Sequence, residues 1–339
     1  MAVPLVNVMR SNLIESRHHG LVALVDSFGN DICSLGDTKQ KIFMRSSAKP
    51  IQALQLVKSG GAARFNLTDR EMAIICASHN GEAIHVEVVR NILAKAGFSE
   101  EDLECGSHLP YDRETACQLM ASGKAPSALY NNCSGKHAGM LLLCKHLGFP
   151  VPGYTQKDHP LQVLMHKTIA DLADLPLGDI SLGVDGCGVL VFALPIKKAA
   201  YLFARLANPA SLPRDFQASA QRITRAMINE PYMIAGKGRL CTELMEKTHG
   251  KLVAKGGAEG VYCVGVMGRD MGIAIKIEDG NSRAIDPIIM KILKGFQILN
   301  QEEQKALAER AHPVIKNHRG EVIGSLETCF PCDKAACIG

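Results

Sequence analysis

The sequence predicts a mixed α/β (α+β) protein: an antiparallel sheet built from both chain ends, flanked by helices, with a mainly helical middle. Three observations carry this. Short β-type runs fill the first 45 residues (VNVMR, GLVALVD, DICSL, KIFMR) and return after residue 250 (KLVAKGG, GVYCVGVM, MGIAIKIED). Helical periodicity dominates residues 46–249. Tight turns such as GRDMG and EDGNS join successive strands, which favours antiparallel pairing because parallel neighbours need long crossovers.

In chain order, RSSAKPIQ (45–52) lies where strand gives way to helix, with Ser47 as the expected N-cap and Pro50 inside the first turn. Thr68-Asp-Arg-Glu71 has the form of a capping box, and Ser99-Glu-Glu-Asp102 resembles a weaker one. EAIHVEVVRNILAKAGF predicts a helix stopped at Gly97, and SGKHAGMLLLCKHLGF one stopped at Gly148. ISLGVDGCGVLVFALP interrupts the helices with two short apolar runs around a glycine-rich turn, and a last strand pair is expected around NHRGEVIG. No repeat or linker divides the chain. It reads as one unit over 1–328, with its sheet from 1–45 and 250–328, followed by a cysteine-containing tail at 329–339.

The 38 Lys and Arg against 34 Asp and Glu give a net charge of +4, scattered without long like-charge blocks, so nothing points to nucleic acid. The N-terminus lacks a secretory pattern and no apolar run reaches the ~18 residues of a membrane span, which predicts a soluble cytoplasmic protein. Twelve cysteines in that setting argue for reduced thiols. Most should be small core residues, as at Cys76 and Cys144; Cys133 in NNCSGKH and Cys187 in DGCG sit in turn-like surroundings instead. Cys329-Phe-Pro-Cys332 with Cys337 has the CxxC spacing without the strand-to-helix context of a redox motif.

Ser46-x-x-Lys49 puts a hydroxyl and an amine three residues apart, on one face of a helix beginning there. A lysine takes a serine proton when burial or a neighbouring cation keeps it neutral. Taken alone the pattern is also an ordinary helix start. Ser78-His79-Asn80 and Lys255-Gly256-Gly257 follow, and the order Ser-x-x-Lys, Ser-x-Asn, Lys-x-Gly is that of penicillin-recognising serine hydrolases, which points to acyl transfer. Two cysteines with Asp185 and a histidine, by spacing His137, form a second constellation with zinc-compatible donors, although glycine-shaped turns explain the same residues.

Taken together, FMRSSAKPIQALQ, CASHNGE, YNNCSGKHAGML, GVDGCG and VAKGGAEGVY, in this order from about residue 43 to 262, resemble the rhizobial-type L-asparaginases, the asparaginase II family. The resemblance implies a fold similar to serine β-lactamases and glutaminases, a homodimer, and hydrolysis of L-asparagine to L-aspartate and ammonia. It implies two pairs, Ser46 with Lys49 and Ser78 with Lys255, beside a zinc site of Cys133, Lys136 and Cys187. His137 is thereby moved from ligand to substrate neighbour, and Asp185 would hold a zinc-bound water. The expected mechanism has Ser46 attacking with Lys49 as base while Ser78 and Lys255 relay a proton. Arg45, Asn80, His137 and Asp185 are the expected substrate contacts. A related amidohydrolase acting on glutamine or a β-lactam, or a non-catalytic zinc- or redox-sensing protein, are the alternative readings.

Overall fold

The computed structural model describes residues 1–331, so Cys332 and Cys337 lie outside the described residues. Its eleven strands are β1 (Val3–Arg10), β2 (Leu13–Val25), β3 (Asp31–Leu35), β4 (Lys41–Phe43), β5 (Ser181–Val184), β6 (Leu190–Pro195), β7 (Leu252–Gly257), β8 (Val261–Val266), β9 (Met271–Ile277), β10 (Val314–Lys316) and β11 (Val322–Thr328). Eight of them form one sheet in the order β10-β11-β1-β2-β9-β8-β7, with β3 also on β2. Every pairing in it is antiparallel, and the β2–β9 register, Gly20 opposite Ile277 and Val25 opposite Gly272, joins the two chain ends. The expected composite sheet is therefore present.

One strand departs from expectation. β4 leaves the terminal sheet and pairs with β6, which pairs with β5, in a separate three-stranded antiparallel sheet. The hairpin read in ISLGVDGCGVLVFALP thus recruits the end of the N-terminal strand segment. This matters for the site: the backbone N–H of Met44 donates to Phe192 O (2.9 Å), so the turn that follows is held by the small sheet.

Helices cover the large sheet and fill the middle of the chain. Helix Ile196–Ala207 lies so close to β8 and β9 that a Cβ on Gly272 would collide with the backbone of Ala200 and one on Gly265 with Phe203 O. Glycine permits that approach, and the apolar strands β8 and β9 close the core beneath it. The capping box opens helix Asp69–Ile75, with Thr68 Oγ1 and the Glu71 carboxylate satisfying each other's backbone N–H groups. Gly97 and Gly148 turn left-handed after helices Ala83–Lys95 and Ser134–Leu147, as their positions predict. Helix Ser134–Leu147 is buried along most of its length and packs on helix Asp69–Ile75 through Gly135, where a Cβ would meet Ile74 O.

Among the described residues no helix is long and apolar enough to cross a membrane.

Candidate active site

Four short segments meet at one end of a cleft of about 510 Å³. The first is the turn Arg45–Ala48, running into helix Lys49–Lys58. The expected Ser47 cap is not formed: Ala48 occupies the N-cap position, and the fully buried Ser47 hydroxyl instead donates to Met44 O (2.7 Å), closing the turn on itself. Arg45 has a left-handed backbone, φ 49°, immediately before Ser46. Such a conformation in a non-glycine residue persists only where neighbours enforce it. The Arg45 side chain is held by Asp185, whose Oδ1 accepts from both Nε and a terminal amine at 2.9 Å.

The second segment, Ser78–Gly81, leaves helix Asp69–Ile75. Ser78 N donates to Ile234 O (2.9 Å) and Gly81 N to His79 Nδ1 (3.1 Å). With Nδ1 accepting, His79 Nε2 carries the proton and donates to Ser134 Oγ (2.9 Å), tying the segment to the start of helix Ser134–Leu147. Burial, followed by neighbouring cationic groups, holds His79 neutral, well below its ordinary pKa.

The third segment is β7, at the edge of the large sheet. A Cβ on Gly257 would stand 2.9 Å from Met44 O and 3.2 Å from Arg45 Cβ, so this glycine lets the strand lie against the Arg45–Ala48 turn. β7 delivers Lys255. Lys49 and Lys255, both almost wholly buried, donate to the same hydroxyl, Ser78 Oγ, at 3.0 and 2.9 Å. Lys49 also reaches Ala77 O and Lys255 reaches Gly256 O (2.6 Å). Burial first, and the charge of Lys49 second, pull Lys255 down to about 7. The expected Ser46–Lys49 pair is thus absent as a direct contact, because the Lys49 amine turns to Ser78. Ser46 Oγ has no hydrogen bond among the described residues, yet it lines the cleft beside Ser78.

The fourth segment brings the cysteines together. Lys136, on helix Ser134–Leu147, donates to Cys187 Sγ (3.0 Å), and Cys133 lies beside Cys187 and Lys49, close enough to interact electrostatically with both. The Cys187 contact, opposed by burial and supported by Lys49 and Lys136, lowers Cys133 well below the usual thiol value, while Cys133 and burial push its partner Cys187 up. Burial disfavours the charged Lys136, but Cys187 and Cys133 outweigh it and raise its pKa. Burial also works against the Asp185 carboxylate, yet Lys136, the Gly186 N–H and Arg45 keep it lowered.

Nine described cysteines are free thiols. Among the described residues no three His, Cys, Asp or Glu side chains are grouped to hold a metal; the convergent set here is two thiols and an amine. Its soft sulfur donors suit zinc, and the lysine would have to give up its proton to join them.

Three expected substrate contacts are otherwise engaged. The Arg45 fork is taken by Asp185. Asn80 gives its amide N–H groups to Glu82 Oε1 and Lys237 O (3.2 Å each) and accepts from Arg239 (2.8 Å). His137 is fully buried, and its Nδ1 meets the Tyr154 hydroxyl at 2.7 Å. That hydroxyl also accepts from Glu104 N (2.9 Å), and His137 Nε2 has no hydrogen-bond partner among the described residues. Sequence reasoning missed Arg239 and Cys241, which line the cleft; neither sits in a chemistry-bearing pattern.

The L-asparaginase II family profile matches residues 6–328. The chain belongs to the L-asparaginase II family. No match is found among curated proteins. Two crystal structures of Mglu are similar at low level: the native form in 4.3 M NaCl at 15% identity and TM-score 0.35, covering 78% of this chain and 58% of that one, and a second at 17% identity and TM-score 0.34, covering 78% and 63%. The chain therefore spans less than two thirds of either structure's length.

The fit of β7 against the Arg45–Ala48 turn yields a prediction. Gly257→Ala should lower kcat for amide hydrolysis at least about tenfold, by displacing Ser46 relative to the lysines, while the melting temperature falls only modestly. Steady-state kinetics beside a thermal melt read both.

Proposed function

We propose that this protein hydrolyses the side-chain amide of L-asparagine to L-aspartate and ammonia through an acyl-enzyme. The single observation that carries the reading is the Ser78 hydroxyl held between two buried lysine amines, one of them near neutrality at pH 7, in the wall of a cleft shared with Ser46. The family supplies the amide, and the chain's own residues supply the chemistry.

Ser46 is the nucleophile in this reading. Its hydroxyl is free, faces the cleft, and follows a backbone strained at Arg45, the placement expected of an atom presented for attack. Its proton passes through Ser78 Oγ to the neutral Lys255 amine and from there to the departing ammonia. Backbone N–H groups of the Arg45–Ala48 turn and of the helix after it are the natural donors to the oxyanion. Water then attacks the ester carbonyl with the same amine as base, releasing L-aspartate.

A second reading, with Ser78 itself as nucleophile, is favoured by its direct contact with both lysines. Mass spectrometry of acid-quenched turnover separates the two. The acyl group should appear on the peptide holding Ser46 and vanish in Ser46→Ala, with turnover down at least about 10³-fold; an acyl group on the Ser78 peptide would replace the first reading by the second. Ammonia release from L-Asn, L-Gln and D-Asn beside a chromogenic β-lactam tests the substrate, and failure on L-Asn with turnover of another amide would redirect the assignment.

Cys133, Lys136 and Cys187 are proposed as zinc ligands, with Asp185 beside them and His137 Nε2 available to a buried ligand or water. Bound there, the ion would supply positive charge that orients the substrate and stiffens the pocket; water activation is unnecessary when a serine attacks. Cys187→Ala should reduce zinc below about 0.2 equivalents by elemental analysis, if two remaining donors cannot retain the metal at micromolar protein. Stoichiometric zinc in that variant would dismiss the ligand set.

Because Lys255 must be neutral to accept a proton, kcat/KM should rise with pH through an apparent pKa of about 7 and fall below it. Lys255→Arg, protonated throughout, should abolish that limb along with most of the activity. A homodimer and a cytoplasmic location complete the proposal on the family resemblance, and the Ser-x-x-Lys, Ser-x-Asn, Lys-x-Gly order supports a penicillin-recognising-type architecture.

A further inference from the structure

The cleft beside Ser46 and Ser78 is lined by three arginines, Arg239, Arg283 and Arg310. Arg310 has its fork and charge engaged, and Arg283 has its Nε engaged. Arg310 forms a double contact with Glu243 (2.7 and 2.8 Å) and another with Asp286 (2.8 Å). Arg283 directs Nε to His18 Nε2 (2.9 Å), and His18 Nδ1 meets Asp279 at 2.6 Å. Arg45, the residue that sequence position nominated for an anion, is committed to Asp185. Among the described residues Arg45 and Arg310 have carboxylates within ion-pair distance, whereas Arg239 and Arg283 do not, and Arg283 is tied through His18 to Asp279.

Its position is nevertheless held firmly. One terminal amine donates to Asn80 Oδ1 (2.8 Å), and the guanidinium lies 5.8 Å from the centre of the Tyr111 ring, another wall of the cleft. Asn80 cannot rotate away, because its own amide nitrogen is fastened to Glu82 and Lys237 O. The loop before Arg239 is fastened to the same place: Lys237 N donates to Glu82 Oε1 (3.1 Å), and Gly236, at φ 105°, lies so close to Asn80 and Glu82 that any side chain there would collide. A half-buried guanidinium is thus fixed on the cleft wall with donors left over and no anion of its own. That is how a site is prepared for a planar two-oxygen anion.

We propose that Arg239 receives the substrate's α-carboxylate, with Asn80 as its positioning residue, so that the enzyme selects amides of amino acids over simple amides. The proposal rests on the amidohydrolase reading above and divides the Ser-x-Asn motif between two roles, since its serine joins the lysines while its asparagine aims the arginine.

The test compares L-asparagine with β-alaninamide, which keeps the amine and the amide and lacks the carboxylate. In Arg239→Gln, kcat/KM for L-asparagine should fall about 10- to 100-fold, mostly through KM, and that for β-alaninamide should change less than about 3-fold. Arg239→Lys should fall between, keeping the charge without the fork. Asn80→Ala should reproduce part of the KM effect on L-asparagine only. Equal losses on both substrates, or an unchanged KM for L-asparagine, would overturn the assignment while leaving the amidohydrolase reading intact. Should the wild-type protein turn over no amide, that reading fails. Calorimetry with L-aspartate then decides this one: binding lost in Arg239→Gln supports it, while binding unchanged in the variant, or absent from the wild type, overturns it.

Discussion

Two amines share one hydroxyl. Placing Lys49 and Lys255 against Ser78 Oγ, both out of water, is the arrangement on which the rest of the site depends. Removing an ammonium from water costs several kcal/mol after relaxation, and two adjacent ones repel as well. The molecule relieves this by letting Lys255 approach neutrality and by setting Cys133, whose pKa is lowered there, beside Lys49 and Lys136. Backbone carbonyls of Ala77 and Gly256 take up further ammonium hydrogens. A proton acceptor at neutral pH is thus a by-product of how the charge is buried.

The same charges link the two halves of the site. Asp185 is held as a carboxylate by Lys136 on one side and by the Arg45 fork on the other. A change at the cysteine cluster therefore reaches the turn carrying Ser46 through a single side chain. Arg45, with its left-handed backbone immediately before Ser46, is thereby tied to the electrostatics of the sulfur cluster.

Much of this was legible in the sequence because it depends on local pattern. The Thr68 capping box, the glycine stops at 97 and 148, and the glycine-flanked hairpin at 181–195 are short-range signals, and all are formed. The motif residues Lys49, Ser78, Lys255, Cys133, Lys136 and Cys187 do converge. What failed was pairing. Three residues of separation on one helix face suggested Ser46 with Lys49, but the amine is long enough to choose among neighbours, and Ala77 O with Ser78 Oγ outcompetes a hydroxyl at the preceding turn. Arg45 was nominated by adjacency, which says nothing about a carboxylate 140 residues away. Arg239 was invisible because GKGR is an unremarkable loop until Glu82 and Asn80 anchor it. β4 was assigned to the wrong sheet, since alternation reports a strand and not its partner.

The position of β7 has one more consequence. An outermost strand offers unpaired backbone groups to any other strand that approaches, a standing invitation to aggregate. Here the Arg45–Ala48 turn lies against it, and the Gly256 N–H is quenched by Cys241 Sγ at 3.1 Å. The turn that carries Ser46 therefore also serves as the sheet's edge guard. Variants that loosen this turn would expose a self-association surface, binding the chain's solubility to the integrity of the cleft wall.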